Sequence, residues 1–283
     1  ARPSFYAVNP LFDSMPHPSS ASLLSQTGDW VVEEEPSDSQ LASGGPLSHV
    51  REFLEDGLPP VMVGWGSMTA QGFPPVAMLA LALNALLLAG RRGIIIGGWA
   101  RLDVLGRQFA VGDDVGLGEY CEDLQELMEF AAEEVCFVSS VPHSWLAPQC
   151  SCSVHHGGAG TTQAMLRAGR PSVVTPIFGD QFASAATVRR LNVGVGFDKP
   201  LPEVSAEELA DAIENAEEAA PNAEILQKWI CIDDGVRRAA HVFDSFMQRE
   251  VRTGRWERSA RKHYAAKSMP RPRKSVVGLG SHH

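Results

Sequence analysis

The feature that most limits what this chain can fold into is a series of short runs, most of them apolar without internal alternation. They are Pro60 to Gly64, Gly93 to Gly97, Val135 to Ser139, Ser151 to His155, Ser172 to Thr175 and Gly194 to Phe197. A strand with one face in water alternates apolar and polar side chains; a strand covered on both faces does not. Helical stretches lie between the runs, among them Val76 to Ala89, Glu119 to Glu133, Gly160 to Ala168 and Phe182 to Leu191. Strands alternating with helices predict an α/β domain, a Rossmann-like parallel sheet with helices on both faces.

The flanks read differently. Residues 1–30 are rich in Pro and Ser and show no clear period. Residues 31–47 hold Glu33, Glu34, Glu35, Pro36, Gly44, Gly45 and Pro46, the composition of an exposed linker and a domain boundary. The regular domain is expected over 48–250. It ends in a helix that sets Val236, Ala240, Phe243 and Met247 on one face. Residues 251–283 turn basic and polar, with Pro270 and Pro272, and are expected to be a disordered tail.

Charge and cysteine content narrow the classes. A net charge of −10 argues against nucleic acid as the main partner, since phosphates must be met by excess Lys and Arg. From Arg249 onward ten Lys and Arg face two acids, a local +8, so the first 248 residues carry −18. A basic end on an acidic body suits a peripheral contact with anionic lipid, although a solvated end is the plainer expectation. The five cysteines are odd in number and form no CxxC pair, which fits reduced thiols in a cytoplasmic protein. Ala1 to Pro10 has no basic stretch leading into an apolar run of the signal-peptide kind. The longest apolar run, Val76 to Gly90, is interrupted by Asn84 and falls short of the about 20 residues that a spanning helix needs.

The chemistry concentrates in His155-His156-Gly157-Gly158-Ala159-Gly160-Thr161-Thr162, between an expected strand and an expected helix. Glycine lets backbone approach a ligand closely, and a helix N-terminus offers unpaired N–H groups with about half a positive charge. With the threonine hydroxyls and an imidazole, this turn suits a diphosphate. A second glycine turn, Gly64-Trp65-Gly66-Ser67-Met68-Thr69, could meet the same phosphates from another side. Other glycine motifs do not fit. Gly64 and Gly66 are followed by Thr69 where a dinucleotide fingerprint needs a third glycine. No glycine loop ends in Gly-Lys-Ser/Thr, and Ser67 directly follows Gly66, unlike a GxSxG elbow. Adjacent His155 and His156 can hardly share one metal, and no HExxH is present.

Four blocks follow in order: Val141-Pro142-His143-Ser144-Trp145-Leu146, His155 to Thr162, Arg167-Ala168-Gly169-Arg170-Pro171, and Phe178-Gly179-Asp180-Gln181. Together they resemble the donor-site signature of the UDP-glycosyltransferases of the two-domain GT-B type, in the form found in sterol 3β-glucosyltransferases. Gly64 to Met68, Gly98-Trp99 and Asp233-Asp234-Gly235 share in the likeness, which runs from about Phe5 to Met247. The resemblance implies the C-terminal, donor-binding half of such an enzyme. His156 would contact the diphosphate with Gly158, Gly160, Thr161 and Thr162 around it, and Ser67 would face it from the first turn. Asp180 and Gln181 would bind the sugar hydroxyls, and the segment from Val141 to His143 would hold uracil. The implied reaction moves glucose from UDP-glucose to a lipid or sterol hydroxyl with inversion, without cofactor or metal. No catalytic base is named, because the family carries it in the N-terminal acceptor domain. That domain would be present in cis or supplied in trans by a separate acceptor-binding chain. A relative that has lost activity is the third reading. Two departures stand out: Ser140 occupies about the position where many relatives stack uracil on a tryptophan, and the segment from Gln108 to Glu134 is longer than the family norm.

Overall fold

The computed structural model describes residues 4–6, 24–28, 30, 34–68, 73–232 and 234–268. They divide into two units. One comprises 1–10, 16–30 and 234–283, the other 11–15 and 31–233.

The larger unit is built on a six-stranded, wholly parallel sheet. Its strands are β1 (Val61–Gly64), β2 (Gly93–Ile96), β3 (Val135–Val138), β4 (Ser153–His155), β5 (Ser172–Val174) and β6 (Gly194–Gly196). Their spatial order is β3-β2-β1-β4-β5-β6. The helices used below are α1 (Ser48–Glu55), α2 (Pro75–Leu88), α3 (Leu102–Ala110), α4 (Leu124–Glu133), α5 (Ala159–Arg167), α6 (Gln181–Leu191), α7 (Ala206–Glu218) and α8 (Ala220–Ile230).

Why the strands are unbroken apolar runs is visible in where alternate side chains go. Val61, Val63, Ile95, Val135 and Phe137 enter a core with α2, α3, α4 and α7. Met62, Ile94, Ile96, Cys136 and Val138 enter a second core with Val50 of α1 and Met165 of α5. A smaller cluster joins Val174 to α6 and α8 through Val188, Ala223 and Ile230. Helix α2 is apolar nearly all round, and nine of its fourteen residues are buried. It starts on Pro75, whose missing N–H costs nothing in a first turn. Helix α7 opens on a capping box between Ser205 and Glu208.

Several elements differ from what the sequence pattern predicts. The stretch expected to be an exposed linker is part of the larger unit: Asp38–Leu41 is a short helix, and Leu47 is buried in the second core. Leu41 packs against the same core, and the acidic, glycine-rich composition hides both leucines. The expected acidic helix begins only at Leu124, where the Asp123 carboxylate accepts from the Glu126 N–H at 3.0 Å. Helices α3 and α8 went unread, because Gly106 and the buried Asp103 break the pattern of α3 and Pro221 opens α8.

In the smaller unit, Ser4–Tyr6 and Leu24–Gln26 form a parallel pair. Helix α9 (Gly235–Phe246) is capped by Asp234, and its Arg238 donates to the Thr27 carbonyl at 3.0 Å. The expected regular domain thus gives up α9 to this unit. Arg255–Ser268 is helical where a disordered tail was expected, with Arg261 paired to Glu257 one turn away. The remainder of the expected tail, 269–283, lies outside the described residues. Among the described residues no helix is long and apolar enough to cross a membrane.

Leu83 of α2 is fully buried in the first core. Leu83→Ala is therefore expected to lower the unfolding free energy by about 2–5 kcal/mol, measured by urea denaturation.

Candidate functional site

A parallel sheet brings the C-terminal ends of all its strands to one edge. Here the strand order reverses between β1 and β4, so the loops that follow them diverge and leave a crevice. The register pairs Gly64 with His155, which sets the two glycine turns singled out in the sequence side by side at that reversal.

The first turn is rigidly held. The Trp65 side chain is buried, and its indole N–H donates to the Thr175 hydroxyl at 2.9 Å, tying the end of β1 to the end of β5. Gly66 has φ +60°, and its carbonyl accepts from the Trp99 N–H at 2.9 Å. A Cβ on Gly98 would stand 2.2 Å from that same carbonyl, so only glycine lets the β2 loop approach. Ser67 is exposed at the tip of the turn. The indole of Trp99 is also exposed, at 75%.

The second turn surrounds a histidine. His156 is only 9% exposed. A Cβ on Gly158 would lie 2.4 Å from its Nε2, and a Cβ on Gly66 would lie 3.4 Å from its Cε1. The ring thus fits between two residues that lack side chains, one from each turn. Its Nδ1 is buried without a hydrogen-bond partner. Burial lowers its pKa, His143 lowers it further, and the Asp180 carboxylate opposes both. His156 is thereby held below the usual histidine range, as a neutral ring with one N–H to donate.

Helix α5 starts at once after this turn, with Gly158 as N-cap. The N–H groups of Ala159, Gly160 and Thr161 belong to the first turn and have no intrahelical acceptor. Ala159 and Gly160 are exposed, and Gly160 has open space where a Cβ would be. The two threonines differ. Thr161 is half-buried, whereas Thr162 is buried and donates both its N–H and its hydroxyl to the Gly158 carbonyl, at 2.9 and 3.0 Å. The expected free hydroxyl donor at Thr162 is therefore spent inside the helix.

The remaining site residues arrive from neighbouring strands. After β5, Gly179 has φ +65° and Asp180 is exposed at the head of α6. The Asp180 carboxylate makes no capping bond to that helix, so its plainest structural role is absent. Gln181 is buried, and its Oε1 accepts from the Ile177 and Phe178 N–H groups at 2.7 and 3.1 Å. That bond shapes the turn presenting Asp180 and leaves the Gln181 amide N–H groups as donors. After β3, Val141 is buried and His143 half-buried. Ser139, Ser140, Val141 and Pro142 line a cavity of about 460 Å³ together with His49 and Arg107. Arg107 is braced by Asp103 and by the Phe137 carbonyl. The sequence pattern assigns no role to Trp65, Thr175 or Arg107, whose partners Thr175, Trp65 and the Phe137 carbonyl lie on other elements.

Sheet order and paired turns define the class of protein: a Rossmann-like α/β domain. Comparison with known proteins carries this further. Residues 120–229 match the sequence model of the erythromycin biosynthesis protein CIII-like C-terminal domain. A sterol 3-beta-glucosyltransferase of Arabidopsis thaliana is 36% identical over 200 residues, which is 70% of this chain and 27% of that protein. The sterol 3-beta-glucosyltransferase of Komagataella phaffii is 35% identical over 205 residues, 71% of this chain and 14% of that protein. The solved structure of the glycotransferase of kitacinnamycin superposes with a TM-score of 0.58 at 19% identity, over 86% of this chain and 55% of that one, and so shares the fold. Residues 120–229 are thus similar to the C-terminal domain of family 1 UDP-glycosyltransferases, and the chain shares its fold with a solved glycosyltransferase. It spans 27% and 14% of the length of the two sterol glucosyltransferases named.

The site has a measurable pH signature. His155 is fully buried, and burial, with smaller effects of His156 and His143, lowers its pKa to about 3. Below about pH 6.5 the unfolded chain takes up a proton there that the folded chain refuses. This residue's contribution to stability is thus complete above that pH and declines toward pH 3, by up to about 1.4 kcal/mol per pH unit. Urea titrations between pH 7 and 4.5 are expected to give a shallower pH dependence for His155→Leu than for the parent, by about one proton.

Proposed function

We propose that this domain binds the nucleotide sugar of a glycosyl transfer, with UDP-glucose as donor. The observation that carries the reading is His156: a buried neutral imidazole with an unpartnered Nδ1, set between two glycine turns at the reversal of a parallel sheet. A diphosphate in that crevice would take one hydrogen bond from this ring and others from the N–H groups that open α5. Ser67 would meet it from the opposite turn. Asp180 and the Gln181 amide would hold the sugar, as strong acceptor and as donor. The cavity beside Ser139 to Pro142 is about 460 Å³, roomy enough for a pyrimidine nucleoside, and supports uracil beside Val141.

The chemistry follows from where charge develops. As the acceptor oxygen attacks the anomeric carbon, the bond to UDP breaks and negative charge grows on the β-phosphate. Fixed donors at a helix N-terminus stabilise that charge without reorganising. A lipid or sterol hydroxyl is the acceptor we infer, on the strength of the sterol glucosyltransferase relatives. The acceptor pocket and the base would come from an additional acceptor-binding half, which the smaller unit, with its two short parallel strands, would help to form.

Calorimetric titration with UDP-glucose, beside ADP-glucose and GDP-glucose, tests the donor site. Saturable binding of the UDP sugar alone is expected, weakened by about 1–3 kcal/mol in His156→Ala for a lost bond to a charged group. Absence of UDP-glucose binding at millimolar concentration by folded protein would overturn the reading. Asp180→Asn is expected to weaken UDP-glucose while leaving UDP affinity within about twofold, since it removes charge at the sugar end alone (on the order of 0.4 kcal/mol per twofold).

A further inference from the structure

The donor site uses His156, yet the residue before it is also a histidine, more deeply buried and without a role so far. We infer that His155 is a positioning residue. Its Nδ1 accepts the Gly157 N–H at 3.1 Å and so fixes the turn that aims His156 and the start of α5 into the crevice. The inference rests on the donor-site reading above.

Three observations carry it. First, the turn must be held against its neighbours. Gly157 has φ +89°, and a Cβ there would stand 2.7 Å from Val174 Cγ1 and 3.1 Å from the Gln181 carbonyl. The backbone is therefore pressed on β5 and α6, and a bond to the Gly157 N–H locks a conformation that an ordinary strand-to-helix turn has no need of. Second, the anchor is itself anchored. The His155 carbonyl accepts from the Thr175 N–H at 2.9 Å, and Thr175 in turn receives the Trp65 indole N–H. Third, the other ring nitrogen does nothing for stability. Nε2 is buried with no hydrogen-bond partner, in a residue that is 0% exposed. A buried polar group without a partner is a cost, and an apolar residue of similar size would avoid it. What histidine offers that leucine lacks is an acceptor two bonds from Cβ, and asparagine has one at the same place. Burial keeps the ring neutral, with its pKa at about 3, so the Nδ1 lone pair stays available across the neutral range.

The test compares His155→Leu with His155→Asn in the full chain. Amide hydrogen exchange at Gly157 is expected to be about tenfold faster in His155→Leu and near the parent rate in His155→Asn. UDP-glucose affinity, by calorimetry, is expected to fall about tenfold or more in His155→Leu and to be restored to within about threefold in His155→Asn. Unfolding of His155→Leu in urea at pH 7 should be no easier than that of the parent. Parent-like exchange and affinity in His155→Leu would overturn the proposal, as would an equal loss of affinity in both variants. If the parent itself binds no UDP-glucose, the donor-site reading fails, and the exchange rates alone decide whether His155 holds the turn.

Discussion

Strands β1, β2, β3 and β5 send alternate side chains into different cores, so neither face of the sheet meets water there. Val63 goes one way and Met62 the other; Phe137 goes one way and Cys136 the other. The helices that seal these faces must leave and return at the ends of the strands. Backbone without a regular partner therefore gathers at the two edges of the sheet. One of them collects every strand-to-helix turn, and the reversal of strand order between β1 and β4 opens it. The crevice is a consequence of burying the sheet twice over.

Within that crevice the local chemistry is fixed by contacts between strands distant in sequence. Trp65 and Thr175 are 110 residues apart and share a buried hydrogen bond. That bond, with the backbone bond from Thr175 to His155, joins the ends of β1, β4 and β5 into one frame. Gly66 and Gly98 touch closely enough to exclude any side chain at Gly98. A rigid frame is what a site for a charged leaving group needs, since its donors must already point at the charge when it forms. The proposed site offers its donors as a neutral ring and N–H groups, and a carboxylate that acts on the ring, Asp180, stands at the head of α6.

Much of this was legible beforehand. The six strands were each expected within two residues of their observed ends, because most of them are short apolar runs, several flanked by glycine or proline. Both glycine turns were singled out from their residue types alone, and the register sets them side by side. The failures have physical causes. Leu47, with Leu41 packed beside it, anchors a stretch whose composition reads as solvent-exposed linker, and two leucines six residues apart carry no period. Helix α3 places Gly106 against Phe137 and buries Asp103, so its pattern answers to a tertiary neighbour rather than to a helical wheel. Gln181 was expected to bind the sugar hydroxyls; its carbonyl oxygen holds the Ile177–Phe178 turn, which leaves its amide N–H groups as the donors.

The sequence by itself determined the class of sheet, the positions of its strands and the identity of the residues that could meet a diphosphate and a sugar. Those are local properties, set by apolar runs, glycine conformations and the functional groups present in each turn. Only the tertiary structure decided that the two glycine turns are neighbours, that His156 lies between them with a free nitrogen, and that Thr162 spends its hydroxyl on its own helix. It also decided that His155 turns its Nδ1 back onto Gly157. Such facts depend on strand order and register. A chain of apolar runs is compatible with many orders; the packing of both faces at once selects one.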